Sequence, residues 1–194
     1  MHDASPNAMQ ENVENLQIIL YPDPRLKAVS RPVLTSDGPL HAVAARMFQL
    51  MRQHGGVGLA APQVGLNIRM FIMNHSGQPQ DDRVYINPEL TEAEGSEEGE
   101  EGCLSLPDIR SGILRSRTLR MQAADLDGRP IDQADAGYVA RIWQHEFDHL
   151  NGVLILDRMG PVAKLRHRGA IRDLQEKWDI AHPKPAKSKA RVAK

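Results

Sequence analysis

Between Leu40 and Met51 the apolar side chains return every three or four residues: Leu40, Val43, Ala44, Met47, Leu50 and Met51. That period predicts a helix over 39–54 with one face buried as core, stopped by Gly55-Gly56. Ahead of it, Gln17 to Leu20 begins ordered structure, and Tyr21-Pro22-Asp23-Pro24 breaks it, because proline fixes φ and restrains its predecessor. After the helix the pattern shortens. Arg69 to Asn74 and Arg83 to Asn87 read as strands across the polar stretch 75–82, with Asn87-Pro88 as a turn. Residues 92–101 carry Glu92, Glu94, Glu97, Glu98, Glu100 and Glu101, the composition of a solvated edge or loop. Thr118 to Asp125 alternates as a strand, and Asp127-Gly128 is a hairpin turn that returns through Arg129-Pro130-Ile131. A second helix starts near Ala136 and meets no breaker until Asn151-Gly152. An apolar run, Val153 to Leu156, and an amphipathic helix over 161–178 complete the pattern. The order predicts an α+β fold: antiparallel β-sheets around a central helix, with an N-terminal and a C-terminal helix.

Composition narrows this picture. A chain of 194 residues suits one domain with a substantial core. We place that domain at 16–179, between a polar extension, 1–15, and a basic tail, 180–194, that carries Lys184, Lys187, Lys189, Arg191 and Lys194. A net charge of −1 predicts no general affinity for DNA. Aromatic residues are only 4%, so the core must rest on aliphatic side chains and methionine. Cys103 is the single cysteine, which excludes an internal disulfide framework and fits a reducing compartment. No apolar run is long enough to span a membrane, and the polar start lacks the basic and apolar parts of a secretory signal. The expected location is the cytoplasm.

The second helix carries the chemistry. His145 and His149 are four residues apart, so both imidazoles lie on one helical face and can reach one metal ion. Glu146 sits beside them as a proton shuttle. Asp148 either orients a ligand or is an exposed helix carboxylate. A glycine-rich stretch, Gly56 to Gly65, matches G-x-G-x-x-A, with Asp81 about 20 residues on. The match fails in context: a helix precedes it instead of a strand, and Pro62 stands where a phosphate-binding helix would run. The lack of Gly-Lys-Ser/Thr excludes a P-loop. Gln63, an amide among small residues, either faces solvent or donates a hydrogen bond in a site.

A catalytic site of this kind takes a third protein ligand. The H-E-x-x-H-x-x-G-x-x-H pattern fails because its last position is Ile155. Glu176, further along the chain, would make the protein a zinc endopeptidase. Cys103 would supply a thiolate. A non-catalytic metal-binding module is a third possibility, although it would have no use for Glu146.

Three segments together resemble the motifs of peptide deformylases, in that family's order and spacing: Gly56-Val57-Gly58-Leu59-Ala60-Ala61-Pro62-Gln63, Glu101-Gly102-Cys103-Leu104-Ser105, and Gln144 to Gly152. The resemblance runs from about Ile18 to Trp178. It implies removal of the N-formyl group from the formyl-methionine of newly made polypeptides, with release of formate. It implies Cys103, His145 and His149 as metal ligands and Glu146 as acid–base group. The Gln63 amide and the Leu104 backbone N–H would stabilise the oxyanion. Val57, Gly58 and Arg110 would lie near the peptide, and we expect Tyr138, Arg141 and Ile142 to help line the methionine pocket. The ligand chemistry alone suits zinc. The resemblance implies Fe²⁺, with Zn²⁺, Ni²⁺ or Co²⁺ able to substitute. A monomer is expected, and a nascent-chain substrate makes the ribosome a candidate partner, with the basic tail as a candidate contact.

Overall fold

The computed structural model describes residues 13–34 and 39–183. The first periodic stretch forms helix α1, Leu40–Gln53, and buries Val43, Ala44, Met47, Phe48, Leu50 and Met51. Gly55 ends it at φ +67°, a left-handed conformation that glycine adopts without steric cost. Seven strands follow: β1 Gly58–Ala60, β2 Met70–Met73, β3 Arg83–Glu94, β4 Glu97–Cys103, β5 Leu106–Arg115, β6 Thr118–Ala124 and β7 Pro130–Ala136. Five form an antiparallel sheet in the order β1-β2-β3-β6-β7, while β4 and β5 form a separate hairpin. The later helices are α2 Gly137–Leu150, α3 Ile155–Arg158, α4 Pro161–Arg166 and α5 Arg168–Ala181.

Helix α2 lies between the two β layers. Its Ala140, Ile142, Trp143 and Leu150 pack on Phe71, Met73, Tyr85, Leu119 and Met121 of the large sheet. A second core cluster joins α1 to the start of that sheet. A third joins Leu106, Ile109 and Ile113 of the hairpin to Leu154, Ile155, Met159 and Leu174. The arrangement is the α+β fold with a central helix that the pattern predicts.

Three local expectations change. Asn87-Pro88 does not end its strand. β3 continues to Glu94 through a register irregularity between Ile86 and Glu89, with Asn87 at φ +50°, which is where a sheet tolerates a proline. The acidic stretch is strand on both sides of a short turn: Glu92 and Glu94 belong to β3, and Glu97 to Cys103 pairs with Leu106 to Arg115. That second strand alternates in burial, but two of its inward positions are Ser111 and Arg115, so an apolar pattern does not reveal it. The C-terminal helix is interrupted at His167, where φ is −92° and ψ 5°. Its last part runs to Ala181, past the expected start of the tail at 180. The five basic tail residues and most of the N-terminal extension lie outside the described residues. Among the described residues, no helix is long and apolar enough to cross a membrane.

Candidate active site

The hairpin and helix α2 bring three ligand atoms together. The donor atoms of Cys103, His145 and His149 all lie within 4.8 Å of one another. Cys103 Sγ stands 3.3 Å from His149 Nε2. Cys103 ends β4, and the irregularity between Gly102 and Cys103 releases its side chain from the ladder. The histidines converge because they sit one turn apart on α2. Two imidazoles and a thiol at this separation fit a single transition-metal ion and leave room for a fourth ligand. Burial, with the nearby guanidinium of Arg115, pushes the His149 imidazole well below its ordinary range. It is therefore held neutral, as a metal ligand requires.

Glu101 orients the other imidazole. His145 Nδ1–H donates to Glu101 Oε2 at 2.9 Å, which leaves Nε2 to face the ligand cluster. The Glu101 carboxylate is itself held by Arg115, whose Nε and Nη2 each donate at 2.9 Å, and by Arg141 Nη1 at 2.9 Å. Burial alone would raise its pKa, but the bonds from Arg115 and His145 outweigh that and hold the carboxyl at about 2. Arg115 also donates to Asp148 at 2.6 Å, and Arg158 closes the network on the same carboxylate. Asp148 thus touches guanidinium groups, not a ligand imidazole, and it is buried, so neither expectation for it holds.

Glu146 lines the cavity beside this cluster. It is 3% exposed, and its Oε2 has no hydrogen-bond partner. Desolvation raises its pKa to about 7, a value at which a carboxylate can both accept and return a proton near neutrality. A Cβ added to Gly58 would lie 2.3 Å from Glu146 Oε1, so this acid can stand where it does only beside a residue with no side chain.

The Gln63 amide is fixed at the same place. Its Oε1 accepts from the Ala60 N–H at 2.9 Å, which turns Nε2 toward Ser105 Oγ at 3.2 Å and Cys103 Sγ at 3.5 Å. Gln63 is buried, so the solvent-facing alternative is excluded. Leu104 and Ser105 form the turn between β4 and β5, beside the ligand cysteine.

These groups open into a cavity of about 420 Å³. Val57, Gly58, Arg110, Tyr138, Arg141 and Ile142 all line it, together with Gln63, Leu104, His145 and Glu146. Arg110 is on the rim, paired loosely with Glu100 at 3.7 Å. Tyr138 is 57% exposed at the mouth, whereas Ile142 is buried. Arg141 contributes to the wall, but its guanidinium turns into the hairpin, where it bonds the carbonyls of Glu97 and Ile113 at 2.8 Å each. β1 is the edge strand of the large sheet, so its outer side is free of any strand partner among the described residues.

Glu176 does not join this group. It is exposed on α5 and paired with Arg172 at 3.5 Å, so nothing supports the alternative in which it is the third ligand. Sequence reasoning missed Arg115 and Ser105 and took Glu101 for part of an acidic edge. The signal available for Glu101 was its place directly before Gly102-Cys103.

Residues 15–165 match the family model for polypeptide deformylase. The chain is 41% identical over 159 residues to a peptide deformylase of Thermotoga maritima, covering 81% of this chain and 95% of that one. It is 43% identical over 147 residues to a peptide deformylase of Rhodopirellula baltica, covering 75% and 73%. Among solved structures, a plant peptide deformylase superposes with a TM-score of 0.83 at 34% identity, covering 88% of this chain and 95% of that one. A peptide deformylase of Plasmodium falciparum gives 0.83 at 34% identity, covering 87% and 100%.

Proposed function

This chain belongs to the peptide deformylase family, and from that membership we propose how its residues 16–179 remove the N-formyl group from the formyl-methionine of newly made polypeptides, releasing formate and a free amine. The observation that carries the reading is the buried Glu146 beside the cluster of Cys103, His145 and His149. A purely structural metal site has no use for an unpartnered carboxyl held near neutrality.

Cys103, His145 and His149 would hold the ion, which would supply Lewis acidity and lower the pKa of water at the site. Glu146 accepts a proton from the attacking water and delivers it to the departing amine. The Gln63 Nε2–H and the Leu104 N–H face the formyl oxygen as negative charge develops there, each contributing about 3 kcal/mol in comparable sites. Val57 and Gly58 offer backbone from an edge strand for an extended peptide. Tyr138, Arg141 and Ile142 wall the methionine side chain, and Arg110 meets the following residues at the rim. We assign Fe²⁺ as the ion on the family resemblance. The donor set also accommodates Zn²⁺, Ni²⁺ and Co²⁺. We place the enzyme in the cytoplasm as a monomer and take its contact with the ribosome to involve the basic tail.

The test is formate release from a formyl-Met-tripeptide by protein prepared without oxygen and loaded with Fe²⁺. Formate that disappears in Glu146→Ala is expected. Absence of formate from the metal-loaded wild-type protein would overturn the reading.

A further inference from the structure

The Gln63 amide can present an N–H to a developing oxyanion only if it cannot flip, and the surroundings show what prevents that. One end is tied by the Ala60 N–H to Oε1 at 2.9 Å. At the other end Nε2 has two hydrogens and two acceptors at unequal distance: the Ser105 hydroxyl at 3.2 Å and the Cys103 sulfur at 3.5 Å. The hydroxyl contact is the shorter of the two, and the sulfur is the atom that the ion would engage. The Cys103 contact is therefore the one a substrate oxygen can displace, and the Ser105 contact is the one that persists.

Ser105 is well placed to act as a fixed anchor. It is fully buried, with 0% exposure. Its carbonyl accepts the Tyr21 N–H at 2.9 Å, and the Gln63 carbonyl accepts the Ile19 N–H at 2.8 Å. The segment Ile19-Leu20-Tyr21 thus spans two parts of the chain 42 residues apart and fixes the backbone of both partners. The side-chain bond between Gln63 and Ser105 closes that bridge on the side facing the cavity.

We propose that Ser105 is a positioning residue: its buried hydroxyl takes one Nε2 hydrogen of Gln63 and so keeps the other aimed at the reacting carbonyl. The inference rests on the deformylase reading above and deepens it. Ser105 touches neither the ion nor the substrate, and it acts through Gln63 alone.

The experiment is a double-mutant cycle on the full-length, metal-loaded chain, using Ser105→Ala, Gln63→Ala and the double variant, with formate release and bound metal both measured. Ser105→Ala is expected to lower kcat by about tenfold, with KM and metal content unchanged, as loss of orientation of one oxyanion donor should. In the Gln63→Ala background the same substitution should cost nothing further. A readout independent of turnover comes from the metal-free protein. The Gln63 side-chain NH₂ signals, assigned by their loss in Gln63→Ala, should exchange slowly with solvent in the wild type, and the proton bonded to Ser105 should shift and exchange faster in Ser105→Ala. Ser105→Thr, which keeps the hydroxyl, should retain that signature. Equal losses in both backgrounds, an undiminished Ser105→Ala rate, or unchanged NH₂ signals would overturn the proposal. Failure of the wild-type protein to release formate would instead overturn the function on which it rests.

Discussion

At the scale of single residues, the site depends on close approach and on orientation. Gly58 illustrates the first. A methyl group there would meet Glu146 Oε1 at 2.3 Å, and the carboxyl would have to swing away from its place in the cavity wall. Gly58→Ala is therefore expected to fold and bind metal while losing at least about 100-fold in kcat/KM, the range that misplacement of a reacting group costs. Steady-state kinetics with metal analysis check this. Glu101 illustrates orientation. Its carboxylate fixes the proton on His145 Nδ1, so Glu101→Gln should weaken metal binding by about 10–100-fold, as loss of such an outer partner does. Competition with a metal-sensitive chelator measures it, and an unchanged affinity would refute the role.

At the scale of elements, the site is a junction between the hairpin and helix α2. The hairpin supplies Cys103, the helix supplies both histidines, and Arg141 joins the two by reaching from the helix to Glu101 and to the carbonyls of Glu97 and Ile113. Gly99 makes the passage possible, since a Cβ there would lie 2.7 Å from Arg141 Cζ. Removing the guanidinium leaves a buried carboxylate and buried carbonyls short of partners. Arg141→Ala should thus cost about 3–5 kcal/mol of stability, read as a lower midpoint in denaturant unfolding. The cavity wall makes a separate prediction. Tyr138 and Ile142 stand one turn apart on α2 and both line the cavity. Changing both to alanine should narrow the preference for methionine over smaller first residues, as measured by kcat/KM across a formyl-peptide series. An unchanged preference would remove them from the pocket.

At the scale of the whole molecule, an ion held by Cys103 of β4 and the histidines of α2 would tie together parts of the chain that only the folded state brings into contact. Binding the native state alone adds stability that grows with free metal concentration. Chelation should therefore lower the thermal midpoint, and restoring Fe²⁺ or Zn²⁺ should recover it. With Fe²⁺ the activity should also decay in air, because iron and thiolate are both oxidisable, whereas the Zn²⁺ form should persist. Equal half-lives with and without oxygen would refute the assignment of iron.

The one-dimensional pattern was enough for the parts governed by local periodicity. The i, i+4 spacing of His145 and His149 places two imidazoles on one helical face whatever surrounds the helix, and the apolar stripe of α1 specifies its buried side. The order and spacing of the three motifs pointed to the family whose model matches residues 15–165. Other features had no local signal. β5 was hidden because Ser111 and Arg115 occupy inward positions that an apolar pattern reserves for hydrophobic side chains. Glu101 looked like one carboxylate among many, and only the packing of the hairpin against α2 buried it between Arg115, Arg141 and His145. Asp148 and Glu176 were equally indistinct, yet burial made one an arginine partner and exposure left the other in a surface pair. Local sequence determined which chemical groups were present and which helical face carried them. Tertiary structure decided which carboxylate bonds a candidate ligand imidazole, which lies buried without a partner beside it and which pairs only with arginine, because a carboxylate's behaviour depends on its desolvation and charged neighbours, and those come from distant parts of the chain.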